Sequence, residues 1–357
     1  MRVSRPIAAL VAAAAASLAL AACAGSPAGE GGADDPTTQS EEEGGGDTAP
    51  SAEFPITITH AFGETVIESQ PERVATVGWS NQEAALALGV VPVIMEAATW
   101  GDDDGNGVLP WVEDKLTELG AETPELYDGT DGVDFEAIAD AAPDVILSAY
   151  SGLSQDDYDT LSQIAPVVAF PEVAWGTTWQ QTITMNGTAL GLQAAAEALV
   201  SELEGQVSDA VADYPNLGGG EGASFFFFDV NDLSSIGFYA LVDPRSLFLV
   251  EQAGFSAPQV ITDAGTEEFY SSISAEAVDE MADVDVIVTY GTGEELEALQ
   301  ADPLLSRIPA VANGAIVFLD EAVDPVTASS ANPSPLGISH LIENYLPLLN
   351  EAAGKAA

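Results

Sequence analysis

Arg245 is the residue whose chemistry stands out most in this chain. The sequence holds 7 Lys and Arg against 58 Asp and Glu, for a formal net charge of −51. A guanidinium in such surroundings can do one of two things. It can aim directed hydrogen bonds at carboxylate, catecholate or hydroxamate oxygens of a ligand, or it can pair with a nearby acid such as Asp243. Tyr150 and Tyr290 form a second candidate set, because each follows a short β-rich run and is preceded by a glutamate 14 residues earlier, Glu136 and Glu276. Asp134 and Ser274 stand two residues before those glutamates, where a helix N-cap belongs. Trp79, Trp100 and Tyr239 fall at predicted loops or element ends and suit a pocket wall. Arg73, opening a strand after Pro71-Glu72, reads as structural.

Catalytic chemistry finds little footing. The two histidines, His60 and His340, belong to no spaced ligand set, and no nucleophile elbow or phosphate loop is present. Gly291-Thr292-Gly293 follows a strand but lacks the remaining elements of a nucleotide turn. The expectation is a non-enzyme with no cofactor and no direct metal ligands. The charge balance excludes nucleic acid as a partner. The acidic surface reads as a solubility adaptation, in keeping with a high-salt habitat.

The elements that must position these residues alternate between strand and helix, which implies an α/β class. Residues 56–60 and 64–67 read as a hairpin turning at Phe62-Gly63. A strand at 73–77 runs into Ser80-Asn81-Gln82-Glu83, a capping-box pattern opening a helix that stops at Gly89. Apolar periodicity over 178–214 predicts one helix of about 37 residues, roughly 55 Å long, a rod able to join two lobes. Strands follow at 225–228, 285–290 and 315–319, and a last helix at 336–350. The Glu–Tyr repeat places matching cap, helix, strand and tyrosine units in two lobes. Ligands in open α/β sheets bind beyond the carboxyl ends of the strands, so the two tyrosines are expected to face a shared cleft. Each glutamate falls in the first turn of its helix. There it can offset the helix dipole, worth about 0.3–1 kcal/mol, or offer an exposed pair of acids to a two-fold partner with basic pockets.

The ends add a location. Arg2 and Arg5 precede an alanine-rich apolar run that ends in Leu20-Ala21-Ala22-Cys23, similar to a bacterial lipobox. Cys23 is the single cysteine, so a diacylglycerol anchor is expected there and no disulfide. The Gly-, Ser-, Pro- and acid-rich stretch after it has almost nothing to bury and reads as a disordered tether. The expected organisation is a signal peptide at 1–22, the lipidated cysteine and tether at 23–52, an N-terminal lobe at 53–177, a joining helix at 178–215 and a C-terminal lobe at 216–357.

The chain resembles the solute-binding proteins of ABC importers that take ferric siderophores, heme and cobalamin, and more narrowly the actinobacterial iron–siderophore lipoproteins. The segments that carry the likeness include Pro71-Glu72-Arg73-Val74, Leu88-Gly89-Val90-Val91-Pro92-Val93, Asp134-Phe135-Glu136-Ala137-Ile138, Pro143-Asp144-Val145-Ile146-Leu147 and Ile308-Pro309-Ala310-Val311-Ala312-Asn313-Gly314. Their order and spacing are more specific than any one of them. The resemblance implies a class III periplasmic-binding-protein-like fold, two α/β lobes joined by one long helix with the cleft between. It implies a monomer that binds a ferric siderophore and docks on an ABC permease served by an ATPase, through Glu136 and Glu276. Arg245, Tyr150, Tyr290, Trp79, Tyr239 and Trp100 are the kinds of residue such proteins set around an oxygen-rich chelate. The scarcity of cations points toward a less charged hydroxamate or mixed-ligand siderophore. Two other readings stay open: heme or cobalamin binding, with Tyr150, Tyr290 or His60 as an axial ligand, and a surface lipoprotein with no transport role.

Overall fold

The computed structural model describes residues 52–229, 231–320, 324–331 and 333–356, so Cys23 and the expected signal and tether lie outside the described residues. The chain enters through a hairpin, β1 (Ile56–His60) and β2 (Gly63–Ile67), in which His60 pairs with Gly63. The turn therefore falls on Ala61-Phe62, one residue before the expected Phe62-Gly63. The hairpin's inward residues Ile58 and Ile67 pack under the first of two five-stranded sheets.

That sheet is built from β3 (Val74–Thr76), β4 (Ile94–Glu96), β5 (Glu125–Tyr127), β6 (Val145–Ser148) and β7 (Val167–Ala169). All are parallel and run in the order β5-β4-β3-β6-β7. Helices α1 (Asn81–Ala87), α2 (Pro110–Leu119), α3 (Phe135–Asp140) and α4 (Gln155–Leu161) make the crossovers. A parallel sheet covered on both faces needs apolar strands rather than alternating ones, and β3, β6 and β7 are buried along their whole length. The second sheet repeats the plan with β8 (Ala223–Phe228), β9 (Ser235–Tyr239), β10 (Tyr270–Ser274), β11 (Val286–Tyr290) and β12 (Ile316–Leu319), in the order β10-β9-β8-β11-β12. Here β9 is antiparallel to both its neighbours. The two halves of the Glu–Tyr repeat occupy the same place, since β6 and β11 each pair with the first strand of their sheet. Both expected caps form: Asp134 accepts from the Ala137 N–H at 3.0 Å and Ser274 from the Glu276 N–H at 3.2 Å.

The rod expected over 178–214 is two helices, α5 (Trp179–Ala189) and α6 (Gln193–Ala212). They part at Gly191, whose φ of 72° lies in the left-handed region, with the Phe54 ring packed where a Cβ would stand. The two helices then cross closely, Gly187 against Ala196. Helix α5 belongs to the first lobe, capped by Thr178 and Gln181 in a reciprocal capping box. The joining helix is α6 alone, 20 residues or about 30 Å long. It is welded in place rather than free. One apolar cluster runs from Ala84 and Ile183 of the first lobe through Ala196, Leu203 and Val207 of α6 into Phe225 and Val288 of the second sheet.

The chain crosses back once more after β12. Ala328, on α11 (Pro325–Ala331), packs into a cluster of first-lobe residues with Leu86, Met95 and Trp111. Helix α12 (Ile338–Ala356) returns to the second lobe, extending past the expected end at 350 and through Pro347. At its start the fully buried Glu83 carboxyl of α1 is hydrogen-bonded by the Ser334 hydroxyl. The expected capping box at 80–83 does not form. Ser80 stands in the left-handed region without a side-chain cap bond, and Glu83 turns inward to Ser334, in the segment before α12, instead.

Burial pushes the Glu83 carboxyl up to about 7, against the opposing pull of Ser334 and the Leu336 and Gly337 backbone. Folding therefore favours its protonated form. The associated stability is complete below an ordinary carboxylate pKa of about 4.5 and is lost as pH rises through about 7. Urea unfolding of wild type and Glu83→Gln across pH 4–8 should show the wild type losing on the order of 3 kcal/mol relative to the variant over that interval. Parallel profiles would remove Glu83 from the pH dependence.

Candidate functional site

The strand order of the first sheet reverses between β3 and β6, and the residues following both strands meet at that point. Asn81 ties them together. Its Nδ2 donates to the carbonyl oxygens of Val77 and Tyr150, each at 2.9 Å, while its Oδ1 accepts from the Tyr150 N–H at 3.2 Å and from Asn186 Nδ2 at 3.0 Å. A buried amide with this many partners fixes the backbone on either side of it, and so fixes where Trp79 and Tyr150 sit. Tyr150 is 3 % exposed and meets Trp175 edge-on at 5.3 Å.

Trp175, not singled out from the sequence, packs against Tyr150 from a constrained backbone. Its φ of 60° is unusual for a residue with a Cβ and costs about 1–3 kcal/mol. Its N–H donates to the Ser151 carbonyl at 2.9 Å, and its indole lies where a Cβ on Gly152 would be. The signal available in the sequence was its position in the loop after a parallel strand, at the same edge as Tyr150.

The second sheet reverses between β8 and β11, and Tyr290 ends β11 there. Strand alternation sorts the four consecutive phenylalanines. Phe226 and Phe228 join the core on one face, whereas Phe225 and Phe227 turn to the other with Tyr239 and Tyr290. Phe227 is thus a further wall residue, 4.6 Å from Tyr239 and 5.6 Å from Tyr290. Tyr270 of the edge strand extends the wall at 5.9 Å from Phe227 and is 44 % exposed.

Arg245 lies on α7 (Pro244–Leu247), whose N-cap is Asp243. Its guanidinium carbon sits 3.3 Å from the centre of the Tyr239 ring. Asp243, fully buried, accepts from Arg245 Nε at 2.7 Å, Nη2 at 2.6 Å and the backbone N–H at 2.9 Å. The remaining edge, Nη1, points at the Tyr290 hydroxyl at 3.4 Å. The ion pair with Asp243 is therefore formed, and the other edge of the guanidinium lies against Tyr290 among the aromatic rings. Burial pushes the Asp243 carboxyl up and Arg245 pulls it back. Burial also raises the phenols of Tyr150, Tyr239 and Tyr290, so all three remain O–H donors at neutral pH.

The lobes face each other through these residues. Trp100 stacks edge-on between Trp79 of its own lobe at 5.8 Å and Tyr290 of the other at 5.6 Å. Across the lobes the ring contacts run from Trp79 through Trp100 to Tyr290, which lies beside Arg245 and Phe227, while Phe227 also meets Tyr239 and Tyr150 packs against Trp175 at the edge of the first lobe. Trp111 and Trp179 belong to core clusters instead. Arg73 has the structural part expected of it, donating to the Ala141 and Ala142 carbonyls at the end of α3. Glu136 and Glu276 are both exposed, in the first turns of α3 and of a 3-10 helix at Ala275–Met281. Gly293 donates its N–H to Glu295 Oε2 at 2.9 Å, so an acid occupies the glycine turn.

His60, weighed as an axial ligand, is 4 % exposed and holds Thr65 through Nε2 at 2.9 Å while Nδ1 accepts from the Phe62 N–H at 3.2 Å. Both ring nitrogens are engaged inside the first lobe. Among the described residues no group of three or more His, Cys, Asp or Glu is arranged to hold a metal ion.

Comparison with known proteins bears on this architecture. A crystal structure of PiaA from Streptococcus pneumoniae TIGR4 in complex with ferrichrome is 41 % identical, with a TM-score of 0.80 over 85 % of this chain and 100 % of that one. The ferric enterobactin-binding periplasmic protein FepB of Escherichia coli O6:H1 is 25 % identical over 75 % of this chain and 85 % of its own length. The probable siderophore-binding lipoprotein YfiY of Bacillus subtilis is 29 % identical over 43 % of this chain and 44 % of its own length. The periplasmic binding protein profile matches residues 74–323, spanning both sheets and α6, and this chain belongs to that family.

Proposed function

We propose that this protein is the extracytoplasmic solute-binding component of an ABC importer, which captures a ferric siderophore between its lobes and delivers it to the permease. The observation that carries the reading is the convergence of Trp79, Trp100, Tyr150 and Trp175 from one lobe with Tyr239, Tyr290 and Arg245 from the other. A ferric siderophore offers flat or methylene-rich chelating arms around an oxygen-lined metal centre. Aromatic faces cover the arms, while phenol and guanidinium donors answer the oxygens. The iron stays inside its chelator, and binding is reversible without bond chemistry. Relatives named for binding ferrichrome and ferric enterobactin support the ligand class.

Closure on the ligand is small in this reading. Two crossings and one continuous core span the lobes, so opening them widely would expose apolar surface at about 25 cal/mol per Å². Cys23 carries the lipid anchor that keeps the lobes beside the membrane, in line with the lipoprotein named among the relatives. Glu136 and Glu276 are the permease contacts, one on each lobe.

Indoles from the cleft make binding visible. Titrating ferrichrome into the protein should quench tryptophan fluorescence, and Trp100→Ala should weaken binding by roughly tenfold or more, about 1.4 kcal/mol, with little change in melting temperature. An unaltered titration would take Trp100 out of the site, and quenching by heme or cobalamin but by no ferric siderophore would replace the ligand class. Glu136→Ala combined with Glu276→Ala should abolish uptake by cells while the purified protein keeps its affinity. Uptake at the wild-type rate would discard the docking assignment.

A further inference from the structure

All five basic side chains of the described residues are already engaged. Lys115 pairs with Glu118 at 3.0 Å, Lys355 with Glu351 at 2.9 Å, and Arg307 with Asp279. Arg73 donates to backbone carbonyls. The fifth, Arg245, is the cation of the cleft, and the fully buried Asp243 binds it through two parallel bonds of 2.7 and 2.6 Å. The guanidinium therefore brings direction without net charge. Its Nη1 edge can donate to a ligand oxygen, but a ligand's overall negative charge meets the field of a dipole, which falls off faster than that of a lone cation. Around that dipole stands a chain of formal charge −51. The neighbouring wall residues are aromatic and the phenols are neutral donors, so among the described residues no second cation stands beside Arg245 to compensate an anion.

We infer that Asp243 is the charge-selectivity residue of the cleft: by cancelling Arg245 it restricts the ligand to ferric chelates of net zero or positive charge and turns away the trianionic ones. The inference rests on the siderophore reading and adds to it a specific residue and a mechanism. Asp243 needs no contact with the ligand for this role; it acts by setting the field that Arg245 presents. An ordinary salt bridge kept for stability would leave discrimination by charge untouched when neutralised, and that separates the two roles.

Ferrichrome and ferrichrome A make the test, because they share an iron-trishydroxamate centre and differ in peripheral carboxylates that leave the first neutral and the second trianionic. Affinities of the full-length wild type, Asp243→Asn, and Asp243→Asn with Arg245→Gln are measured by fluorescence quenching at low and high salt. Wild type should bind ferrichrome at least roughly a hundredfold more tightly than ferrichrome A, and salt should strengthen the weaker interaction by screening repulsion. Asp243→Asn should narrow the ratio by about tenfold or more by uncovering the guanidinium charge, and the double variant should restore it.

Wild type binding both chelates equally, or ferrichrome A binding that weakens with salt, overturns the inference even if the Asn variant fails to fold. So does a folded Asn variant with an unchanged ratio. Wild type that binds no ferric siderophore of any charge sinks the siderophore reading itself, and the inference with it.

Discussion

A parallel sheet sends the carboxyl ends of all its strands to one edge, and this constraint organises the whole molecule. Where the strand order reverses, the chain leaves neighbouring strands in opposite directions and opens a crevice between them. This protein has two such reversals, at β3/β6 and β8/β11; Trp79 and Tyr150 follow β3 and β6, and Tyr290 ends β11. Tyr150 comes two residues after β6 and Tyr290 is the last residue of β11. Asn81 makes the first crevice exact in shape by bonding to the backbone on both of its sides. The loops can then carry large aromatic side chains without wandering, because what lies behind them is a hydrogen-bonded lattice.

The two edges are bridged by packed segments of the same chain. Helix α6 joins the lobes, but its apolar face also completes the second lobe's core, and the chain crosses again at 324–337 with Ala328 and the Glu83–Ser334 contact. A hinge needs a place where few buried contacts are broken by rotation, and here both crossings are packed. Preorganisation of this kind favours capture of a rigid ligand, since neither partner gives up much conformational freedom on binding.

Charge is used sparingly for so acidic a chain. The Asp243–Arg245 pair is buried, and removing either partner leaves an unpaired buried ion, which commonly costs about 3–5 kcal/mol. The pair also anchors α7 over Tyr239, so the ion pair and the aromatic packing share the same atoms. This couples the site's electrostatics to the local fold more tightly than a surface arginine would.

Much of this was legible in the residues. Apolar runs between capped helices identified an α/β chain, and the matched Glu–Tyr spacing led to two units that occupy equivalent sheet positions. Local signals of this sort are read correctly because strand burial and N-capping depend on neighbours a few residues away. The joining helix is shorter than the periodicity suggests because Gly191 breaks a pattern that otherwise continues through it; the break is decided by Phe54, packed against Gly191 from more than a hundred positions earlier. Glu83 reads as a capping residue because its partner Ser334 is 251 positions away in sequence. Trp175 and Phe227 could not be ranked among many aromatics until their neighbours were known. The residues alone determined which side chains could recognise an oxygen-rich ligand. Tertiary structure decided which of them come together where the lobes face each other, and that Arg245, the one cation there among the described residues, is already balanced by Asp243, because distances between remote segments are set by packing and not by spacing along the chain.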